Sequence, residues 1–469
     1  MKDEIVADLS FVALCAAELV RVWIGCFRNR NRNRNRNREF CVADLSSEAL
    51  CEGGNRGQEP RWSGTGIPAP YIVPGSGVPD SWEISVKGDS YRECEILSKR
   101  VFALCKSGQV SQNDAVMITL VTGMMAGMDD RNYLNQVVQM GAQNGREIKV
   151  YNAIEEFTKH GKKPLKRLLG TTDYVFELTR EREYEKIGYQ IHTRQEKDVI
   201  VRCPATVEWN RINRKFKDQR IIRDFIKPDL IVTLIDAEWL IKEKLAHVDK
   251  KGDPFLHDLK KRNHTLYEIL SWMHEEVSLS EDWAKYMGIP HYVVAIGEPP
   301  ECLYKLVTHP DPWVVYASYS MTYATPEMRL VVNEVIHQLR QYAVIIDPQT
   351  VEIGSVFESD EDKEAIFAYT VHRDLHWYVG KVHSVVAIHP YPERPPLSAG
   401  MMDELGHARD YMKGRYMIFP KGFSPFTTDS YIEKGHLFES PEEFFKYLDE
   451  VEKRPKFSDN FTLQSEMKL

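Results

Sequence analysis

Near its end the chain carries the run Pro396-Leu397-Ser398-Ala399-Gly400-Met401-Met402-Asp403-Glu404-Leu405-Gly406-His407-Ala408. Small residues in a loop leave backbone amides open to close approach, and amides at a helix N-terminus favour an anion such as a phosphate. A carboxylate beside such a loop suits attack on a sugar anomeric carbon, or stabilisation of the positive charge that N-glycosidic cleavage develops there. Glu404 is the candidate, and Gly400, Gly406 and Ala408 give a ligand room to approach it. The competing reading is a solvated helix glutamate beside Asp403. Upstream, Val371-His372-Arg373-Asp374-Leu375-His376-Trp377 offers Asp374 as a second carboxylate, to orient the sugar or assist protonation of the base. The alternative for Asp374 is an ion pair with Arg373 or His372. Tyr316, at a strand end, would touch the sugar or the nucleophile, or else be a core tyrosine. His389 and His407 flank the run and read as satisfied histidines rather than as acid and base.

A second constellation lies earlier. The apolar run Ala115 to Val121 leads into Thr122-Gly123-Met124-Met125-Ala126-Gly127-Met128-Asp129-Asp130 and then into a helix. Strand, glycine-rich loop, helix is the arrangement that cradles phosphates through backbone amides. Yet the lysine that would reach the β- and γ-phosphates is missing, and so is the hydroxyl that would hold magnesium. Asp129 and Asp130 stand there instead, and their charge opposes a triphosphate. Three readings stay open for this loop: a scaffold without chemistry, a nucleotide-sensing surface, or a metal site on the two aspartates. Arg202, after the third strand, would meet a monophosphate or be structural.

These residues need elements to hold them. Buried strands are expected at Ile148–Tyr151, Asp198–Val201, Leu230–Asp236 and Tyr292–Ile296, with helices at Arg131–Gln143, Ala237–His247 and Asp258–Glu276. A second module repeats the alternation. Its strands are expected at Trp313–Ala317, Ala343–Ile346, Ser384–Ile388 and Tyr416–Phe419. Its helices are expected at Thr325–Gln341, Glu361–Tyr378, Met401–Met412 and Pro441–Val451. Strands alternating with helices mean parallel sheets with crossovers.

Residues 1–80 differ from the rest. Val6-Ala7-Asp8-Leu9-Ser10 recurs as Val42-Ala43-Asp44-Leu45-Ser46, and Arg and Asn alternate from Arg28 to Arg38. Such a repeat has no apolar face to bury and reads as disordered. A basic arm for RNA or a membrane surface is the functional alternative to an idiosyncratic extension. Residues 81–310 form the first module, 311–454 the second, and 455–469 a polar tail.

The chain of 469 residues has a net charge of −8, which argues against nucleic acid as a partner. Its eight cysteines form no CxxC pair, so neither a zinc site nor a redox dithiol is signalled, and a cytoplasmic protein with free thiols is expected. No apolar run reaches the roughly 18 residues of a membrane span.

Two resemblances add to this reading. The loop at Thr122-Gly123 and the later strand ending Leu234-Ile235-Asp236 resemble the P-loop nucleoside-monophosphate kinases, adenylate kinases in particular, over Val116 to Leu306. Without the lysine, the resemblance implies a degenerate kinase-like domain, with Gly123, Gly127, Asp129 and Asp130 in its altered loop. The second module is similar to the nucleoside 2-deoxyribosyltransferase superfamily over Trp313 to Leu448. The similarity rests on Val315-Tyr316-Ala317-Ser318-Tyr319-Ser320, on Arg373-Asp374-Leu375-His376-Trp377, and on Ser398, Gly400, Glu404, Gly406 and Ala408. The serine six residues before Glu404 resembles the 2′-deoxynucleoside 5′-phosphate N-hydrolase branch.

That resemblance implies an α/β protein of two Rossmann-like parallel-sheet domains, the second of flavodoxin type. It implies hydrolysis of the N-glycosidic bond of a (deoxy)nucleoside 5′-monophosphate, with Glu404, Asp374 and Tyr316 catalytic and Ser320, Ser398, Gly400 and Ser424 on the substrate. No metal or organic cofactor is needed. Ser424 would come from a neighbouring subunit, which implies a homodimer. The branch's arginine after the first strand is replaced near Met321 and Thr322, and Lys381 or Arg394 would have to serve instead. Deoxyribosyl transfer between bases and non-catalytic nucleotide sensing are the alternatives.

Overall fold

The computed structural model describes residues 117–459 apart from 125–126, 162–164, 195, 210–211, 247–262, 321–323, 352–358, 392–397 and 421–430. The Arg-Asn repeat, the expected start of order near Ser81, and Met321, Thr322, Arg394 and Ser424 lie outside the described residues.

The first sheet is built from β1 (Met117–Gly123), β2 (Ile148–Asn152), β3 (Asp198–Arg202), β6 (Leu230–Ile235) and β7 (His291–Ala295). All its pairings are parallel, in the order β2-β3-β1-β6-β7. Every residue of β6 and β7 is buried, as expected of strands covered on both faces by crossover helices. A two-stranded antiparallel hairpin, β4 (Thr206–Trp209) and β5 (Ile212–Lys215), leaves the end of β3. Among the described residues, the principal helices of this module are α1 (Asp130–Gln143), α2 (Ala153–Gly161), α3 (Leu165–Leu169), α4 (Asp173–Arg194), α5 (Glu238–Ala246), α6 (Leu266–Met287) and α7 (Pro300–Thr308), with a short helical turn over Gln219–Ile221 that widens into a π-helix over Ile222–Ile226. α6 opens on a reciprocal capping box, with the Thr265 hydroxyl accepting from the Glu268 amide and the Glu268 carboxylate accepting from the Thr265 amide.

The second sheet comprises β8 (Val314–Ser318), β9 (Val344–Ile346), β10 (Ser384–Ile388), β11 (Gly414–Ile418) and β12 (Leu437–Phe438), again all parallel. Its order is β12-β11-β10-β8-β9. Counted along the chain this is 2-1-3-4-5, a doubly wound order whose direction reverses between the first and third strands; ligands of such sheets bind at the carboxyl ends of those strands. Here the two strands are β8 and β10. The covering helices are α8 (Pro326–Leu339), α9 (Asp360–His372), α10 (Ala399–Asp410) and α11 (Pro441–Glu450).

Several features depart from the sequence expectation: α2, α3, the β4–β5 hairpin and β12 were not expected, and in place of the helix expected over Asp258–Glu276 stands α6 over Leu266–Met287. The single helix expected over Glu361–Tyr378 is an α-helix to His372 that widens into a π-helix over Arg373–Val379. And α4, a 22-residue helix, was not expected at all. Its inward face carries Arg180 and Glu183 among Phe176, Tyr184, Ile187 and Ile191, and these charges interrupt the apolar period. Arg180 is buried against Asp218 at 3.1 Å and over the Phe176 and Phe216 rings.

Both sheets belong to one compact unit. One apolar cluster runs through them, from Leu120, Val232 and Val294 to Tyr316, Val385 and Leu405. Across the joint, Lys381 pairs with Glu281 at 2.9 Å and His274 stacks on Trp377.

Candidate active site

Tyr316 and Ser318 alternate along β8 and so face the same side of the sheet. Both are fully buried, and both reach Glu404 on α10. The Tyr316 hydroxyl donates to Glu404 Oε1 at 2.8 Å, and the Ser318 hydroxyl donates to Oε2. Each carboxylate oxygen is thus held by one hydroxyl at the reversal point of the sheet. Asp403 is exposed, so the inward carboxylate of this pair is Glu404. Burial pushes the Glu404 carboxyl up to about 8, with the Asp374 charge adding to the rise and the two hydroxyl donors opposing it.

Asp374 comes from the π-helical turn. Arg373 donates to it from Nε at 2.8 Å and to the Val351 carbonyl from Nη1 at 3.3 Å, with the guanidinium almost wholly buried. Asp374 is therefore ion-paired, and it also acts electrostatically on Tyr316 and Glu404. Burial raises its carboxyl above the ordinary range against the pull of Arg373. π-Turns of this kind recur at functional sites, because the extra residue per turn re-aims a side chain.

Ser398 is the N-cap of α10, its hydroxyl accepting from the Met401 amide at 3.3 Å. Gly400 is exposed, and a Cβ there would meet only the Ser398 hydroxyl at 3.9 Å. A Cβ at Gly406 would make only an ordinary contact with Tyr431 at 3.6 Å. The protein's own packing therefore requires neither glycine. Ser320 follows β8, half-buried. His389 packs flat on Phe419, and His407 bonds back to the Asp403 carbonyl at 3.0 Å beside His376 and Tyr411. Lys381, a candidate phosphate ligand, is taken by Glu281.

In the first module, the amide of Gly123 at the start of the loop already has an acidic partner within the chain. Glu276, nearly fully buried on α6, accepts from the Gly123 amide at 2.9 Å, the Ala205 amide at 2.7 Å, and the Thr206 amide and hydroxyl at 2.7 and 2.6 Å. A carboxylate of the chain itself thus occupies the donors beside the loop. Burial pushes Glu276 up to about 7 against those four hydrogen bonds. Asp130 pairs with Arg202, while Asp129 is exposed and its side chain caps no amide. Gly127, at φ 78°, lies against α5; a Cβ there would sit 2.6 Å from Ile241. Among the described residues, no group of three or more His, Cys, Asp or Glu side chains is arranged to hold a metal ion. Of the expected residues, the fold brings Tyr316, Asp374 and Glu404 together, with Ser398 capping the Glu404 helix; Gly123, Gly127, Asp129 and Asp130 lie in the other module.

Sequence reasoning passed over Ser318 and Glu276. Both left a signal: Ser318 is two residues from Tyr316 on one strand, and Glu276 is the lone carboxylate on the apolar face formed by Leu266, Ile269, Met273, Val277 and Ser280.

No family model matches the chain, and no curated protein matches it. Among solved structures, it is similar to an unliganded sugar kinase from Janibacter sp. HTCC2649, at 13% identity and a TM-score of 0.26, over 41% of this chain and 91% of that one. A likeness of that degree bears on neither the fold nor the chemistry. No helix among the described residues is long and apolar enough to cross a membrane.

Proposed function

We propose that the chain hydrolyses the N-glycosidic bond of (deoxy)nucleoside 5′-monophosphates, with Glu404 as nucleophile. One observation carries the reading: the Glu404 carboxylate is held at both oxygens by Tyr316 and Ser318, at the reversal point of a 2-1-3-4-5 sheet, within electrostatic reach of a second buried carboxylate. Paired carboxylates of this sort are the usual equipment for breaking a glycosidic bond. An ionised Glu404 oxygen attacks C1′ as the C1′–N bond breaks, and the electron pair leaves on the base nitrogen, which takes a proton from solvent water. Water then attacks C1′, releasing the 5-phosphosugar and restoring Glu404. Asp374, fixed by Arg373, orients the sugar hydroxyls. The amides of α10 behind Ser398, with Ser320, take the phosphate. Ser424 would complete that pocket from a second copy of the chain in a homodimer.

The first module, in this reading, is a P-loop-like scaffold that transfers no phosphoryl group, since Glu276 holds the Gly123 amide at the start of the loop and the lysine is absent.

The test is incubation with a panel of ribo- and deoxynucleoside monophosphates and the matching nucleosides, with free base followed by chromatography. Base released from monophosphates supports the hydrolase. Transfer to an added free base would make the protein a deoxyribosyltransferase, and nucleotide binding without base release would make it a sensor.

A further inference from the structure

We propose that Glu298, supplied by the first module, is a positioning residue for the site of the second, an inference that rests on the glycosidase reading above. Glu298 follows β7 and is almost fully buried. Its Oε1 accepts from the Asp347 amide at 2.5 Å and from the Thr350 hydroxyl at 3.2 Å, both in the turn after β9. The Asp347 carboxylate accepts the Tyr319 hydroxyl at 2.6 Å and the Gln349 amide at 3.0 Å. Tyr319 directly follows Ser318, whose hydroxyl holds Glu404. A continuous line of hydrogen bonds and chain therefore runs from the carboxyl edge of the first sheet to the nucleophile. The joint is tight: a Cβ at Gly297 would fall 2.3 Å from the Thr350 carbonyl oxygen, so only glycine lets the two backbones meet.

Ordinary packing does not call for an acid here, because an amide oxygen would accept the same two bonds. Two buried carboxylates side by side are costly unless protonated or paired. The groups facing Glu298 are Asp347 and Tyr319 of the second module, Arg340 after α8, Tyr378 of the π-turn, and Tyr133 and Cys302 of the first module. Arg340 stands 3.8 Å from Oε2, which has no hydrogen-bond partner. Burial and the Asp347 charge push Glu298 up to about 8, so the joint is intact near neutrality. At higher pH a second negative charge is forced against Asp347, and the hold on Tyr319 weakens.

The experiment uses the full chain with Glu298→Ala and Glu298→Gln, read by hydrogen–deuterium exchange and by base release against pH. In E298A, exchange should quicken about tenfold in peptides spanning Ala317–Ser320 and Asp347–Val351, with β1 and β3 unchanged. The kcat for base release should fall by a similar factor, with KM within about twofold. E298Q should restore both near neutrality and remove the loss of activity that the native chain shows above about pH 8. Unchanged exchange at both segments in E298A overturns the proposal whether or not base is released. Should E298A fail to fold, E298Q decides: an alkaline loss of activity that persists in it overturns the proposal. Quickened exchange in a protein whose native form releases no base would sink the glycosidase reading and leave the positioning role standing.

Discussion

The Tyr316 hydroxyl donates to Glu404 Oε1 at 2.8 Å, from a strand residue with no exposed surface to a helix residue 88 positions later. The bond fixes which way the carboxylate points and favours its ionised form against the burial that opposes it. Tyr316→Phe removes it without changing the ring's packing. A hydrogen bond to a charged group contributes about 1.5–3 kcal/mol, so kcat/KM for base release should fall about 10- to 100-fold, and the pH at which activity rises should move upward. Ser318→Ala should act in the same direction. A pH–rate profile identical to the native one in both variants would mean that these hydroxyls do not tune the nucleophile.

The native profile itself is a prediction. In the proposed mechanism Glu404 attacks only as the carboxylate, and its carboxyl is pushed up to about 8, so base release should increase with pH from 6 towards 8. Only about a tenth of the free protein would carry the ionised group at pH 7. Activity already at a plateau at pH 5.5 would contradict this.

Asp374→Asn separates charge from structure. Removing the negative charge relieves the rise at Glu404, so any residual activity should respond at lower pH than in the native chain. Arg373 meanwhile loses its buried partner, a change that typically costs about 3–5 kcal/mol. Thermal unfolding should show the loss, and an unaltered Tm would mean that the pair is not load-sharing in the folded protein.

The occupied loop of the first module can be tested by stability alone. In Glu276→Gln, one of the two side-chain termini becomes an amide that faces donors instead of accepting from them. Destabilisation of about 1–3 kcal/mol is expected, measured as the urea midpoint at constant m. An unchanged midpoint would show that these donors are satisfied some other way.

His291 contributes a term to stability that acid removes. His291 is buried, its Nε2 2.8 Å from the Thr233 hydroxyl, and burial pulls its imidazole down to about 3. The unfolded chain binds that proton near pH 6.5 and the folded one does not, so this contribution is complete above about pH 6.5 and declines as pH falls. By pH 5 the loss from this group is about 2 kcal/mol. Between pH 7 and pH 5 the native chain should therefore lose about 2 kcal/mol relative to His291→Gln, read as the difference of their urea midpoints at the two pH values; an identical pH response in the two proteins would contradict it.

The fold was legible where apolar patterning is simple. The runs Leu230–Ile235 and Ser384–Ile388 announce themselves as buried parallel strands, and most helix positions followed from the spacing between strands. Sequence reasoning failed where burial is polar. α4 hides Arg180 and Glu183 inside, and the short β12 has only two residues to betray it. The π-turn at Arg373–Val379 keeps helical composition while changing which way Asp374 points, which periodicity cannot see. At the site, Glu404, Asp374 and Tyr316 could be named from residue type and order. Ser318 and the joint through Glu298 depend on contacts 86 and 49 residues apart in the chain, and only the packed sheets reveal them.

Glu404 is proposed to break the N-glycosidic bond. The most direct measurement compares the native chain with Glu404→Ala for free base released from the best nucleoside monophosphate, with circular dichroism to verify that both are folded. Measurable release by the native chain is expected, with a loss of at least about a thousandfold in the variant, the scale expected when a nucleophile is removed. Equal release by the two proteins would contradict it.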